Sequence, residues 1–188
     1  MSDAEMKILL VEDNLSDAKV IMKELDNRRS AAPVLVEHVE RLSLALECVQ
    51  KKEYDIILTD LKLPDSDGLE TVRRLLEQAP KIPLIVLTAT YEQEALAVET
   101  IQLGAQDYLF KDKMDGALLI RVIRYAIERH RIQEALIKAK RELEAKILEL
   151  ENLNNIMMGR EERILELKEE NKQLKKVLET TRPKDERR

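Results

Sequence analysis

The 188-residue chain is poor in several residue types, and each shortage excludes something. It has one cysteine, Cys48, so no internal disulfide can form. That fits a reducing compartment, and Cys48, in an apolar helical stretch, reads as a small core residue. No apolar run approaches the roughly 18 residues needed to span a membrane. The opening Met1-Ser2-Asp3-Ala4-Glu5 lacks the basic and apolar segments of a secretory signal. A cytoplasmic protein without a membrane partner is expected. No large excess of positive charge exists either. Residues 1–130 hold 17 basic and 24 acidic groups, and residues 131–188 hold 15 and 13. Neither part offers a surface that phosphate backbones attract, so nucleic acid is not an expected partner.

What is present alternates. Short runs rich in Ile, Leu and Val are separated by longer stretches with helical spacing. Strands are predicted over Lys7–Val11, Pro33–Val39, 54–59, 82–87 and 107–110. Helices are predicted over Leu15–Arg29, Leu42–Lys51, Leu69–Gln78, Glu92–Leu103 and from about Asp115 onward. Five strand–helix repeats argue a doubly wound α/β domain. Runs apolar throughout fit parallel strands buried on both faces. Pro33, Pro64, Pro80, Pro83, Gly68 and Gly104 punctuate the boundaries.

Four of these runs end on chemically matched residues. Ile8-Leu9-Leu10-Val11 leads into Glu12-Asp13, and Asp55-Ile56-Ile57-Leu58-Thr59 into Asp60. Ile85-Val86-Leu87 leads into Thr88, and Asp107-Tyr108-Leu109-Phe110 into Lys111. Ligands of open α/β sheets bind outside the carboxyl ends of the strands. Glu12, Asp13 and Asp60 would repel one another unless a hard cation joined them, and Mg²⁺ suits carboxylate oxygens and retained water. Asp60 stands alone after a central run, placed to attack phosphorus as a carboxylate nucleophile. Lys111 can hold a phosphoryl oxygen as a point charge, and Thr88 can donate a hydroxyl. Taken singly, each residue reads as a cap, a turn or a solvated charge; together, at equivalent strand ends, they read as one pocket.

Beyond Arg129 the character changes. All five aromatics precede it, and no proline occurs between Pro83 and Pro183. A seven-residue repeat runs through Leu136, Leu143, Leu150, Met157, Ile164, Asn171 and Leu178. Its companion series is Ile132, Ala139, Lys146, Leu153, Arg160, Leu167 and Leu174. Such a repeat predicts a coiled-coil helix, about 70 Å long, continuous with the last helix of the domain. A lone helix cannot bury this stripe, so a parallel homodimer is expected. Its core would hold Leu136, Leu143, Leu150, Leu153, Met157, Ile164, Leu167, Leu174 and Leu178. Asn171 would pair with its own copy to fix register. The expected organisation is a domain over residues 1–128, a coil over 129–180 and a disordered tail over 181–188. Gly159 is a soft spot in the helix.

The segments Ile8–Asn14, Asp55–Gly68, Ile85–Ala89 and Gly104–Lys111 together resemble the receiver domain of two-component response regulators. The resemblance implies a flavodoxin-like, five-stranded parallel sheet in order 2-1-3-4-5. It makes Asp60 the phospho-acceptor. Mg²⁺ would be held by Asp13, Asp60 and the backbone carbonyl of Lys62, with Glu12 acting through a water. Thr88 and Lys111 would contact the phosphoryl group, and Thr88 and Tyr108 would form the switch. The donor would be a histidine kinase or phosphotransfer protein. The domain would be no enzyme beyond its own phosphoryl transfer and later hydrolysis. Asp112 stands where the family usually has proline after the lysine, so a trans peptide is expected there.

Two readings of the whole follow. One is a phosphorylation-controlled dimer that signals through the face of the fourth helix, fifth strand and fifth helix and through the coil. The alternative is the front portion of a larger signalling enzyme, such as a hybrid histidine kinase. A phosphatase using an aspartyl phosphate is disfavoured, because Lys62 stands where its second aspartate would be. His38, in a strand run, and His130, on a helix surface, read as structural imidazoles rather than phosphodonors.

Overall fold

The computed structural model describes residues 5–26, 33–88 and 94–181. Five strands form one parallel sheet: β1 (Met6–Val11), β2 (Val34–Val39), β3 (Ile56–Asp60), β4 (Leu84–Thr88) and β5 (Asp107–Phe110), in the order β2-β1-β3-β4-β5. Helices α1 (Leu15–Asp26), α2 (Leu42–Lys51), α3 (Leu69–Gln78), α4 (Glu94–Leu103) and α5 (Gly116–Thr181) complete the alternation. The doubly wound fold is the expected one. Boundaries moved by a residue or two where the apolar run outlasts the ladder: Tyr54 and Asp55 precede β3, and Ile82 and Pro83 precede β4. Predicted helical positions 27–29, 92 and 93 lie outside the described residues.

The pleat of the sheet sorts its side chains into two cores. Ile8, Leu10, Ile56, Leu58, Ile85 and Leu87 face one way and pack with Ala18 and Ile21 of α1 and Leu119 and Ile123 of α5. Leu9, Val11, Ile57, Leu84 and Val86 face the other way, against Leu42 and Ala45 of α2 and Val72 and Leu75 of α3. Each Val, Leu or Ile among them, fully buried, is worth about 1.5–3 kcal/mol. Covering both faces is why β1, β3 and β4 read as unbroken apolar runs.

Local chemistry starts and stops the helices. Asn14 caps α1, its Oδ1 accepting from Ser16 N at 2.9 Å. Asp115 caps α5 through Leu118 N at 2.7 Å. Gly116 leaves α5 free to approach α1: a β-carbon there would lie 2.6 Å from the Glu24 carbonyl oxygen. After Asp60 the chain makes a short ladder, Lys62–Leu63 against Ser66–Asp67. It then passes Gly68 at φ 60°, a left-handed conformation that favours glycine.

Helix α2 is capped from a distance. Arg41 contributes no side-chain cap; instead Asp65 accepts from Leu42 N and Ser43 N, each at 2.9 Å. Desolvation pushes the Asp65 carboxyl up, but the Ser43 and Leu42 N–H groups outweigh it and hold it below its ordinary pKa. Cys48 is only partly buried, and its thiol donates to Glu37 at 3.6 Å.

The chain divides into two compact units, Met1–Ala135 and Leu136–Arg188. Within the first, α5 is tied to the amino ends of the strands. Arg129 donates to the Gln106 carbonyl at 3.2 Å, and His130 Nε2 to the Lys81 carbonyl at 3.0 Å. The second is helical to Thr181, Gly159 included. Its apolar residues are exposed in the single chain, among them Leu143, Leu150, Leu153 and Met157. Asn171 Nδ2 donates to the Leu167 carbonyl of its own helix at 3.3 Å. The side chain of Leu178 lies outside the described residues. Among the described residues no helix is long and apolar enough to cross a membrane.

Asp65→Ala is expected to destabilise the fold by about 1 kcal/mol, the usual worth of a cap. Because the folded pKa is depressed, the contribution is present above the unfolded value of about 3.9 and lost as pH falls through the folded one. Denaturant midpoints of the two proteins should therefore converge in acid. A constant gap across pH contradicts the assignment.

Candidate functional site

Register brings the strand ends level. Val11 pairs with Thr59, Asp60 with Leu87, and Thr88 with Phe110. The residues just past these pairs, Glu12 and Lys111, therefore leave the sheet at the same edge as Asp60 and Thr88. Glu12, Asp13 and Asp60 each present a carboxylate oxygen within 4.8 Å of the other two. The three acids picked out at separate strand ends form one cluster.

Lys111 enters this cluster from the end of β5. Its Nζ lies 2.5 Å from Glu12 Oε2 and 2.7 Å from Asp60 Oδ2. A third carboxylate, Asp17 on the first turn of α1, stands 3.2 Å from the same nitrogen. The Lys111 and Asp60 side chains are 11% and 13% exposed and Glu12 is fully enclosed, so Asp60 still meets solvent.

Burial works against the Lys111 charge, but Asp60 and then Glu12 more than offset it, and the ammonium is held above its ordinary pKa. Glu12 goes the other way for a carboxylate. Burial raises its pKa, Lys111 recovers part of the loss, and the Asp60 charge adds to the rise. Its Oε1 accepts from Asn14 N at 3.3 Å. Oε2 is enclosed without a directed hydrogen bond, facing only the Lys111 charge. The Lys111 charge offsets the burial of this oxygen, a role that a divalent cation at the cluster could share.

The remaining predicted residues fall as follows. Thr88 ends β4 and is fully buried. Tyr108 in β5 is partly buried against the α2–α3 core, edge-on to Phe110 with ring centres 5.6 Å apart. Lys62 is exposed, and its N–H donates to Asp60 Oδ1 at 3.3 Å. Lys111 opens a short 3₁₀ turn with Asp112 and Lys113, and the peptide after Lys111 is trans. Ala89 and Thr90 lie outside the described residues.

Two contacts were not legible beforehand. Asp17 reads as an ordinary acid in a first helical turn, a position that favours negative charge. His38 reads as a strand residue, yet its Nε2 donates to the Glu12 carbonyl at 2.7 Å. Both depend on partners far away in the chain.

A family model for the response regulator receiver domain matches residues 8–124. The chain belongs to this family. Among curated proteins it is 34% identical over 119 residues to the probable transcriptional regulatory protein SilR of Salmonella typhimurium, covering 62% of this chain and 49% of that one. It is 33% identical over 115 residues to the transcriptional regulatory protein YdfI of Bacillus subtilis (strain 168), covering 60% and 51%. The chain thus spans about half the length of these relatives. Among solved structures, the receiver domain of the sensor histidine kinase PA1611 from Pseudomonas aeruginosa PAO1 superposes with a TM-score of 0.56. It is 33% identical, with 66% of this chain and 99% of that one covered. That domain carries a magnesium ion coordinated in its active-site cleft.

Removing the Lys111 charge tests the electrostatics. Lys111→Met should cost about 2 kcal/mol at pH 8, below the 3–5 of a fully buried broken pair because Glu12 can take up a proton. At pH 5, nearer the range in which buried carboxylates protonate, the cost should shrink. Thermal melts at the two pH values check this; equal losses contradict it.

Proposed function

We propose that this receiver is phosphorylated on Asp60 with Mg²⁺ bound by the neighbouring acids. The observation that carries the proposal is the convergence of Glu12, Asp13, Asp60 and Lys111 at one sheet edge. Asp13 and Asp60 would hold the ion, with the Lys62 carbonyl as a further ligand and Glu12 acting through a water. The ion would supply positive charge to screen the incoming phosphoryl group from the carboxylates. The fit is supported by the donor set: three carboxylate oxygens within 4.8 Å of one another, which suit a hard cation.

In the reaction, a carboxylate oxygen of Asp60 attacks phosphorus. The bond to the donor nitrogen of a phosphohistidine breaks, and an acyl phosphate remains on Asp60. A histidine kinase or phosphotransfer protein would be the donor. Lys111, already 2.7 Å from Asp60 Oδ2, takes a phosphoryl oxygen as its new partner. Thr88 turns its hydroxyl to another oxygen, and Tyr108 fills the space it leaves. Catalysis would extend no further than this transfer and the later hydrolysis.

The output would pass through α4, β5 and α5, where Val98, Ile101 and Tyr125 are exposed. In this reading the receiver spans residues 1–128 and the coil 129–180. The exposed stripe of Leu136, Leu143, Leu150, Leu153, Met157, Ile164, Leu167 and Leu174 would close against a second parallel copy, with Leu178 extending the seam and Asn171 choosing the register.

A second reading treats the chain as the receiver and linker of a longer signalling protein, including a hybrid histidine kinase. The share of the curated relatives that the chain covers favours it. Those relatives are named as transcriptional regulators. The net charge of −5 speaks against this chain's own contact with nucleic acid, and does not extend to a whole protein of that kind.

Acetyl phosphate with Mg²⁺ should label the wild-type chain at the peptide holding Asp60, and Asp60→Asn should remove the label. A label that persists on the variant at that peptide contradicts the acceptor assignment. Asn171→Val should strengthen association, read by solution mass and thermal midpoint, while relaxing the choice of oligomer. Unchanged stability and mass contradict a buried asparagine pair.

A further inference from the structure

Asp17 has no part in the carboxylate cluster, yet it touches the cluster's counter-ion. Glu12, Asp13 and Asp60 form the group that could hold a metal, and Lys111 contacts Glu12, Asp60 and Asp17. Its ammonium donates hydrogen bonds to Asp60 and Asp17 and forms an ion pair with Glu12. Two of the three belong to the metal cluster. The third comes from another element, the amino-terminal turn of α1, and its side chain is 38% exposed.

We propose that Asp17 is a positioning residue that retains Lys111 when Mg²⁺ claims the oxygens of Glu12 and Asp60. The inference rests on the metal-binding reading given above. A divalent ion at the cluster competes with Lys111 for both acids and repels it. Lys111 is 11% exposed, so water compensates little for partners it loses. Without a further acid, metal entry would strand a desolvated ammonium, and the lysine would hold its ground against the ion. Asp17 removes that conflict. It keeps one charge-assisted contact on Lys111 that the metal does not need, and the positive end of α1 favours its carboxylate. The ammonium is then kept beside Asp60, where a phosphoryl oxygen would next require it.

The same acid could act on Mg²⁺ merely as a distant negative charge. The two roles separate in a background without the ammonium. Calorimetric titration with Mg²⁺, with no phosphoryl donor present, would compare four proteins: wild type, Asp17→Asn, Lys111→Met and the double variant. Asp17→Asn should weaken Mg²⁺ binding about fivefold in the wild-type background, a modest value for a half-exposed charged contact. In the Lys111→Met background the same change should cost less than about twofold, because no ammonium is left to retain. Equal weakening in both backgrounds overturns the proposal in favour of a simple charge effect. No weakening in either overturns it outright. Asp17→Ser carries the same comparison should the asparagine variant not fold. If Asp17 fails in these ways while the wild type binds Mg²⁺ and is labelled on Asp60, the functional reading survives. A wild type that binds no Mg²⁺ overturns both.

Discussion

The structure turns on one ammonium among carboxylates. Lys111 lies within 3.2 Å of Glu12, Asp60 and Asp17, and the fully enclosed Glu12 tolerates its position because of that charge. Burial alone would push Glu12 toward its neutral form, and the Asp60 charge pushes it further. Lys111 is in turn kept charged by the acids it neutralises, against its own desolvation. The site thus holds an excess of negative charge that a single ammonium offsets only in part. In the proposed function a stronger cation would join these acids while Lys111 stays beside Asp60, within reach of a phosphoryl group.

The fold supplies this arrangement through register and burial. A parallel sheet sends its strand ends to one edge, and the pairing of Val11 with Thr59 and of Asp60 with Leu87 sets them level. Apolar packing on both faces holds those strands, so the acids sit on a frame that cannot slip by a residue without exposing a core face. Turn chemistry refines the edge. Asn14 starts α1 directly after the acid pair, which aims the first turn and Asp17 at the site. The ladder after Asp60 returns Asp65 to cap α2, joining the loop after Asp60 to the helices on its own face of the sheet.

What could be read from the sequence was what depends on local pattern. Apolar runs gave strands because residues such as Ile57 and Val86 are buried by helices on both sides, and Glu12, Asp60, Thr88 and Lys111 stood out by ending those runs. The heptads of Leu136–Leu174 were equally plain, since the repeat is contained in one helix. Contacts that join distant elements outside the strand-end pocket were not legible. Asp17 and Lys111 are 94 residues apart, and Asp65 caps a helix that precedes it in the chain. His38 meets the Glu12 carbonyl only because β2 lies beside β1. Strand starts near Tyr54 and Ile82 were missed for a similar reason: apolar character continues where the ladder has not begun.

The most direct measurement is fluorine NMR of the chain with beryllium fluoride, a phosphoryl mimic that binds a carboxylate held beside Mg²⁺. Protein-bound fluorine resonances should appear with the wild type only when Mg²⁺ is present, and should be absent with Asp60→Asn. Bound resonances that survive the loss of the Asp60 carboxylate, or none at saturating Mg²⁺ with the wild type, would contradict a site in which clustered acids hold the ion for Asp60 to accept phosphorus.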